Sequence, residues 1–217
     1  MAHRSRARRI ASVAALDDQT TRATYDFVSL ATGPVTRDAA AEALGVSRRI
    51  AAAHLDKLAE QGLLSVEFRR LSDRTGPGAG RPAKLYRRST DEVAVSVPDR
   101  RYDLAATLLA AAVTEAIDSG ADVGDVLHRT AYEAGREITA ECPDLLAALV
   151  ETGYEPYEAD TGLVLANCPF HRLARQYTDL VCGLNLHLLR GMTEGAGAPY
   201  RPVLDPAPER CCVRLPR

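Results

Sequence analysis

The chain of 217 residues contains no tryptophan, only three phenylalanines and two methionines, and just two lysines, so nearly all its positive charge is arginine. It also lacks any apolar run approaching the roughly 18–20 residues of a membrane-spanning helix, which excludes an α-helical membrane protein. The basic start (Arg4, Arg6, Arg8, Arg9) is followed only by a short apolar stretch from Ile10 to Leu16, and then by Asp17 and Asp18. A secretory leader is therefore not expected, and the expected compartment is the cytoplasm. Cysteine is scarce as well. There are five, four of them in the last 50 residues: Cys168, Cys182, Cys211 and Cys212. In a reducing compartment such thiols favour metal or redox chemistry over a disulfide framework.

What is present is divided along the chain. Residues 1–90 carry 16 Lys and Arg against nine acids, an excess of seven positive charges. Residues 91–217 carry 11 against 20, an excess of nine negative charges. A basic half joined to an acidic half suggests that only the first meets a polyanion. At 46% hydrophobic, the chain can bury one large core or two small ones.

The basic half has the punctuation of a helix-turn-helix. A first helix runs from Asp17 or Asp18 to about Thr32 and stops at Gly33-Pro34. Thr36 is placed to cap a short helix, Arg37 to Leu44, and Gly45 ends it. Ser47 then caps Arg48 to Gln61, and Gly62 ends that helix. From Leu63 to Arg69 the pattern changes to a strand, and residues 83–87 form a return strand. Between them lie the turn formers and arginines of a basic wing: Arg70, Arg74, Gly76, Gly78, Gly80 and Arg81. In this motif the second helix enters the major groove N-terminus first. The candidate DNA contacts are Ser47, Arg48, Arg49, Ala52 and Ala53, with Asp56 on the same outward face and Ile50, Ala51, Leu55 and Leu58 inward. Arginine suits the position because its fork can bond guanine O6 and N7 together. Arg69, Arg70, Arg74, Arg81 and Lys84 on the hairpin are candidates for phosphate or minor-groove contact. The expected organisation is a flexible basic arm (1–16), a winged helix-turn-helix (17–90), a linker (91–98) and a sensor and dimerisation domain (99–217), an α+β protein whose C-terminal part is mixed α/β.

In the acidic half, long helices are expected over 99–119 and 123–140 and a shorter one over 143–152, then a hairpin closed by residues 160–162. A helix from about Asp179 to Met192 carries Cys182. Short strands are expected at 200–204 and 211–215. The broad apolar stripe of the 100–119 helix, Leu104, Leu108, Ala112 and Val113 among it, is a candidate dimer interface.

Cys168 lies in Asn167-Cys-Pro-Phe-His171, 14 residues before Cys182. A straight helix from Phe170 would place Cys182 about 18 Å along its axis, too far to share a centre with Cys168. A shared site therefore requires a helix break near Thr178, which would act as N-cap and set Cys182 near a helix N-terminus, where thiolate is favoured. Strand alternation sends Cys211 and Cys212 to opposite faces, so only one of them is expected as a ligand. Three cysteines from separate segments suit an iron–sulfur cluster, [4Fe-4S] or [2Fe-2S]. The Cys168-x-x-His171 spacing also allows zinc with His171 as a ligand. Cys142 is expected to be a small buried hydrophobe. A Cys–His enzyme using Cys168 with His171 or His187 finds neither a substrate pocket nor an orienting acid in the sequence, so the chain is read as a non-enzyme.

Together the wing motif Gly80-Arg81-Pro82-Ala83-Lys84-Leu85-Tyr86, the Asn167-Cys-Pro-Phe170 run, Cys182 within a helix and the late Cys211-Cys212 pair resemble the SufR-type branch of ArsR/DeoR-like regulators. The resemblance spans roughly residues 18–215. It implies a homodimeric repressor that binds a palindromic operator in double-stranded DNA. It also implies an iron–sulfur cluster held by three cysteines matching Cys168, Cys182 and Cys211 or Cys212. The doubled Cys211-Cys212 leaves the third ligand open. The alternative is a winged-helix regulator with a zinc, small-molecule or thiol-redox sensing domain.

Overall fold

The structure, a computed structural model, describes residues 5–70 and 82–217. It is a mixed α+β protein that divides into two compact units, Met1–Val95 and Ser96–Arg217. No described helix is long and apolar enough to cross a membrane.

The first unit is built from helices with side-chain caps. Residues 6–14, expected as part of a flexible arm, form helix α1 (Arg6–Ala14), with Ser5 capping at the N-terminus. The reason is tertiary. Ser12 is fully buried, and its hydroxyl donates to the carbonyl of Gln61 at 2.8 Å, which fastens α1 to the end of another helix. α2 (Gln19–Leu30) starts at Asp18, whose carboxylate accepts from the Thr21 N–H at 2.7 Å. α3 (Arg37–Leu44) starts at Thr36, and α4 (Arg48–Glu60) at Ser47. Gly45 between them sits at φ 63°, a conformation open to glycine at little cost. Strands β1 (Leu64–Arg69) and β2 (Ala83–Arg88) pair antiparallel, and Val35 bridges Tyr86 on the far side of β2. Val28, Ala40, Ala51, Leu55, Leu58, Leu64 and Tyr86 form the core beneath.

The second unit begins with α5 (Tyr102–Ser119), α6 (Val123–Ala140) and α7 (Leu145–Glu151). A four-stranded antiparallel sheet follows in the order β3-β4-β6-β5, from β3 (Pro156–Ala159), β4 (Gly162–Leu165), β5 (Val203–Leu204) and β6 (Val213–Pro216). Between β4 and β5 run α8 (His171–Gln176) and α9 (Thr178–Gly195). α9 is buried on most of its surface and packs along α6, with Leu184, Leu188, Leu189 and Met192 in the core beside Leu127, Ala131, Phe170 and Leu215. On α5 the apolar stripe divides. Ala105, Leu108 and Ala112 enter the core, while Val113 and Ile117 are exposed.

The final strand corrects an expectation. It begins at Val213, two residues later than expected, yet burial alternates from Cys211 through Leu215, with Cys211, Val213 and Leu215 on the core face. The Cys211 N–H bonds the Leu165 carbonyl at 2.9 Å, and the Cys212 carbonyl accepts from the Asp205 N–H at 2.8 Å, so the pair leads into β6 between the ends of β4 and β5.

Candidate functional site

Two groups of side chains carry chemistry, one in each unit. In the first unit, α4 presents Ser47, Arg48, Arg49 and Ala53 to solvent in or near its first turns, with Ala52 half-buried, while Ala51, Leu55 and Leu58 are buried beneath. Ile50 departs from expectation. It is 45% exposed and extends the outward face, because the inward row of a 3.6-residue helix passes through 51, 55 and 58. Arg48 reaches Asp38 on α3 at 2.6 Å, an exposed pair of the kind that contributes little to stability. Arg69 and Arg70 are exposed, and Arg69 lies 4.0 Å from Glu67. Arg4, Arg74, Gly76, Gly78, Gly80 and Arg81 lie outside the described residues.

Lys84 and Asp56 are committed to each other. Asp56 accepts from Lys84 Nζ at 2.5 Å, from the Tyr86 hydroxyl at 2.6 Å and from Arg37 Nη2 at 2.7 Å, and Arg37 Nε reaches the same hydroxyl at 3.0 Å. Asp56 is therefore the anchor of an ion-pair network rather than an outward base-reading residue, and Lys84 is held within it. Burial works against the Asp56 charge, but the bonds from Lys84 and Tyr86 and the Arg37 charge hold the carboxyl below its ordinary range.

The second group is the thiols. The helical run is interrupted at Tyr177 (φ −131°, ψ 58°), so Cys182 lies in the second turn of α9, five residues in. Thr178 does not cap that helix. Its hydroxyl donates backwards to the Ala174 carbonyl at 2.8 Å. With the break in place, Cys168 from the loop before α8, Cys182 from α9 and the Cys211-Cys212 pair meet, all buried except the half-buried Cys212. They bond in series: Cys182 donates to Cys212, Cys212 to Cys211, and Cys211 to Cys168. Both members of the 211/212 pair thus face the group, against the expectation that only one would.

Charge preference within this series also differs from expectation. Cys168, at the accepting end, is pulled below the usual thiol range by the bond from Cys211, against burial. Cys182, expected to favour thiolate at a helix start, is instead pushed far up by the bond it donates to Cys212, with burial and Asp179 adding. Cys211 is pushed up to about 12, first by its bond to Cys168 and then by burial. The bond received from Cys182 opposes a rise at Cys212, but the bond it donates to Cys211 and burial push it up to about 11. Among the described residues, no three or more His, Cys, Asp or Glu side chains are arranged so that they could hold a metal ion. The thiol-to-thiol bonds depend on protons that ligation would remove. His171 opens α8 exposed, and Cys142 is a half-buried cysteine whose thiol is pushed up by burial.

Four residues absent from the sequence-level site support the thiols. Asn185, one turn beyond Cys182, is 0% exposed. Its Nδ2 donates to Cys211 Sγ at 3.2 Å, while the buried Tyr154 hydroxyl donates to its Oδ1. An asparagine among Val181, Leu184, Leu186 and Leu188 is an anomaly visible in the sequence, although its partners are not. On the other side, Asn167 Nδ2 donates to the carbonyls of Asp99 (2.9 Å) and Gly153 (2.6 Å). Arg100 donates to Asn167 Oδ1 and to the Cys168 carbonyl, the latter at 3.3 Å. The Cys168 loop is thereby stitched to residues 99–101, at the start of the second unit.

In donor chemistry, though not in the arrangement of the side chains, the residues suit a thiolate-bound centre on two counts. The donor set is all sulfur and comes from three separate segments. A buried amide that turns its donors on sulfur is matched better by thiolates than by thiols, which accept hydrogen bonds weakly. Compared with family models, curated proteins and solved structures, the chain matches none.

Proposed function

We propose that the protein is a DNA-binding transcriptional regulator, a repressor, whose promoter binding is governed by an iron–sulfur cluster held by C-terminal cysteines. The observation that carries this reading is the grouping of three buried thiols and the half-buried Cys212 beside the buried Asn185 amide, in a chain whose other unit is a basic helix, glycine turn, helix and hairpin. Cys168, Cys182 and one or both of Cys211 and Cys212 would hold the cluster, which when bound supplies a redox-active, oxygen-sensitive centre. In the first unit, a winged helix-turn-helix on this reading, Arg48 and Arg49 at the head of α4 would meet the major groove, and Arg69 and Arg70 the phosphates.

One recognition helix reads a half-site, so the reading includes a homodimer on a palindromic operator. Ala106, Ala110, Val113 and Ile117, exposed at helical spacing on α5, are the surface offered for it. Coupling requires that ligation favour one DNA-binding state over another. Arg100 and Asn167 tie Cys168 to the segment that leads out of the second unit, which supplies a covalent route for that preference.

The test is iron and acid-labile sulfide content after purification without air, together with operator binding before and after the iron is removed. Iron and sulfide in equal amounts, with DNA affinity changing on removal, supports the reading. Colourless protein with stoichiometric zinc replaces it with the zinc alternative.

A further inference from the structure

Asn185 lies where asparagine is costly, in the middle of α9 with no solvent exposure. Its orientation is determined, because the Tyr154 hydroxyl has its own proton to give and donates it to Oδ1, which leaves Nδ2 facing the sulfurs. Tyr154 is itself buried, and its hydroxyl donates to the Asn185 oxygen. The amide N–H reaches Cys211 Sγ at 3.2 Å, with Cys212 the next residue along the chain. Neutral thiols repay such burial poorly, whereas thiolates repay it through charge-assisted bonds.

We propose that Asn185, clamped by Tyr154, is a positioning residue that donates a hydrogen bond to the sulfur of Cys211, orients it toward the thiol centre and sets the reduction potential of that centre. The inference rests on the thiolate-centre reading above. Donors to ligating sulfurs withdraw charge from them and so favour the reduced state. Loss of the amide therefore lowers the potential.

The experiment uses the full chain purified without air, as wild type, Asn185→Leu, Tyr154→Phe, and the double variant. Asn185→Leu keeps the branched side-chain shape and removes both donors, but orphans the Tyr154 hydroxyl. The double variant removes that orphan. The expected result is a reduction potential more negative than wild type, with shifted sulfur-to-iron absorption bands, in both Asn185→Leu and the double variant. Thermal stability recovers in the double variant while the potential does not. In metal-free protein the wild-type Asn185 side-chain amide protons exchange slowly, and faster in Tyr154→Phe. An unchanged potential in iron-loaded Asn185→Leu, or a potential that recovers together with stability in the double variant, overturns the proposal and leaves the cluster reading standing. Wild-type protein that takes up no iron overturns both, and the amide exchange then reports whether the hydrogen bond itself exists.

Discussion

Gly191 on α9 lies so close to Tyr132 on α6 that a Cβ at position 191 would sit 1.9 Å from the Tyr132 carbonyl oxygen. Gly135 shows the reciprocal contact, where a Cβ would come within 2.1 Å of the Leu188 carbonyl. Glycines on both helices let the two backbones approach, and this approach supports the helix that carries Cys182 and Asn185.

Gly191→Ala is therefore expected to destabilise the second unit by about 3 kcal/mol, because the added methyl meets backbone that cannot rotate away. Urea titration followed by circular dichroism measures it. A loss below about 0.5 kcal/mol would show that the helices separate easily.

Asp56→Asn leaves Arg37 and Lys84 without their counter-charge. A loss of about 1–2 kcal/mol is expected in the first unit, at the low end for charged hydrogen bonds because the pair is partly exposed. The sign with pH follows from the depressed carboxyl. Its contribution is complete above the unfolded value of 3.8 and is lost as pH falls through the lower folded value. Melting temperatures of wild type and variant should converge as pH drops below about 4.

His128 on α6 and His187 on α9 stack with centroids 4.3 Å apart and planes 10° from parallel. Burial, then His128 and Arg190, hold His187 below its ordinary value of 6.5. A depressed histidine favours the neutral folded form. Stability is complete above 6.5 and falls as pH drops from there through the folded value. His187→Phe keeps the stack and should flatten this part of the pH–stability curve. Identical curves for the two proteins would remove the pair as its cause.

Arg48→Ala with Arg49→Ala should leave the melting temperature nearly unchanged, since both side chains are exposed and the Arg48–Asp38 pair is a surface one. On the proposed reading, DNA binding falls by about tenfold or more per base-contacting arginine, at roughly 1–3 kcal/mol each. Where a lost contact was to phosphate, the slope of log affinity against log salt falls by about one. Fluorescence anisotropy at several salt concentrations separates the two cases, and unchanged affinity would remove α4 from the DNA interface.

Some features were legible because they are local. Thr36, Gly45 and Ser47 place the boundaries of α3 and α4, since a cap and a left-handed turn act within four residues of chain. The break near Thr178 was legible for a different reason: axial rise makes a straight helix incompatible with a shared Cys168–Cys182 site. Other features depend on partners far along the chain. Arg6–Ala14 had the composition of an arm until Ser12 found Gln61. Lys84 is bound to Asp56, 28 residues away, a pairing that no local pattern announces.

By itself, then, the sequence determined where α3 and α4 begin and end, how charge divides between the halves, and that cysteine concentrates late in the chain, because each follows from composition or from neighbours a few residues apart. Only the tertiary structure decided that both Cys211 and Cys212 face the thiol group, that Cys168 is the sulfur most inclined to charge, and that Asn185 and Tyr154 serve the same group. The physical reason is that a buried side chain's hydrogen-bond partners and local field come from whatever the fold packs against it, which no spacing along the chain encodes.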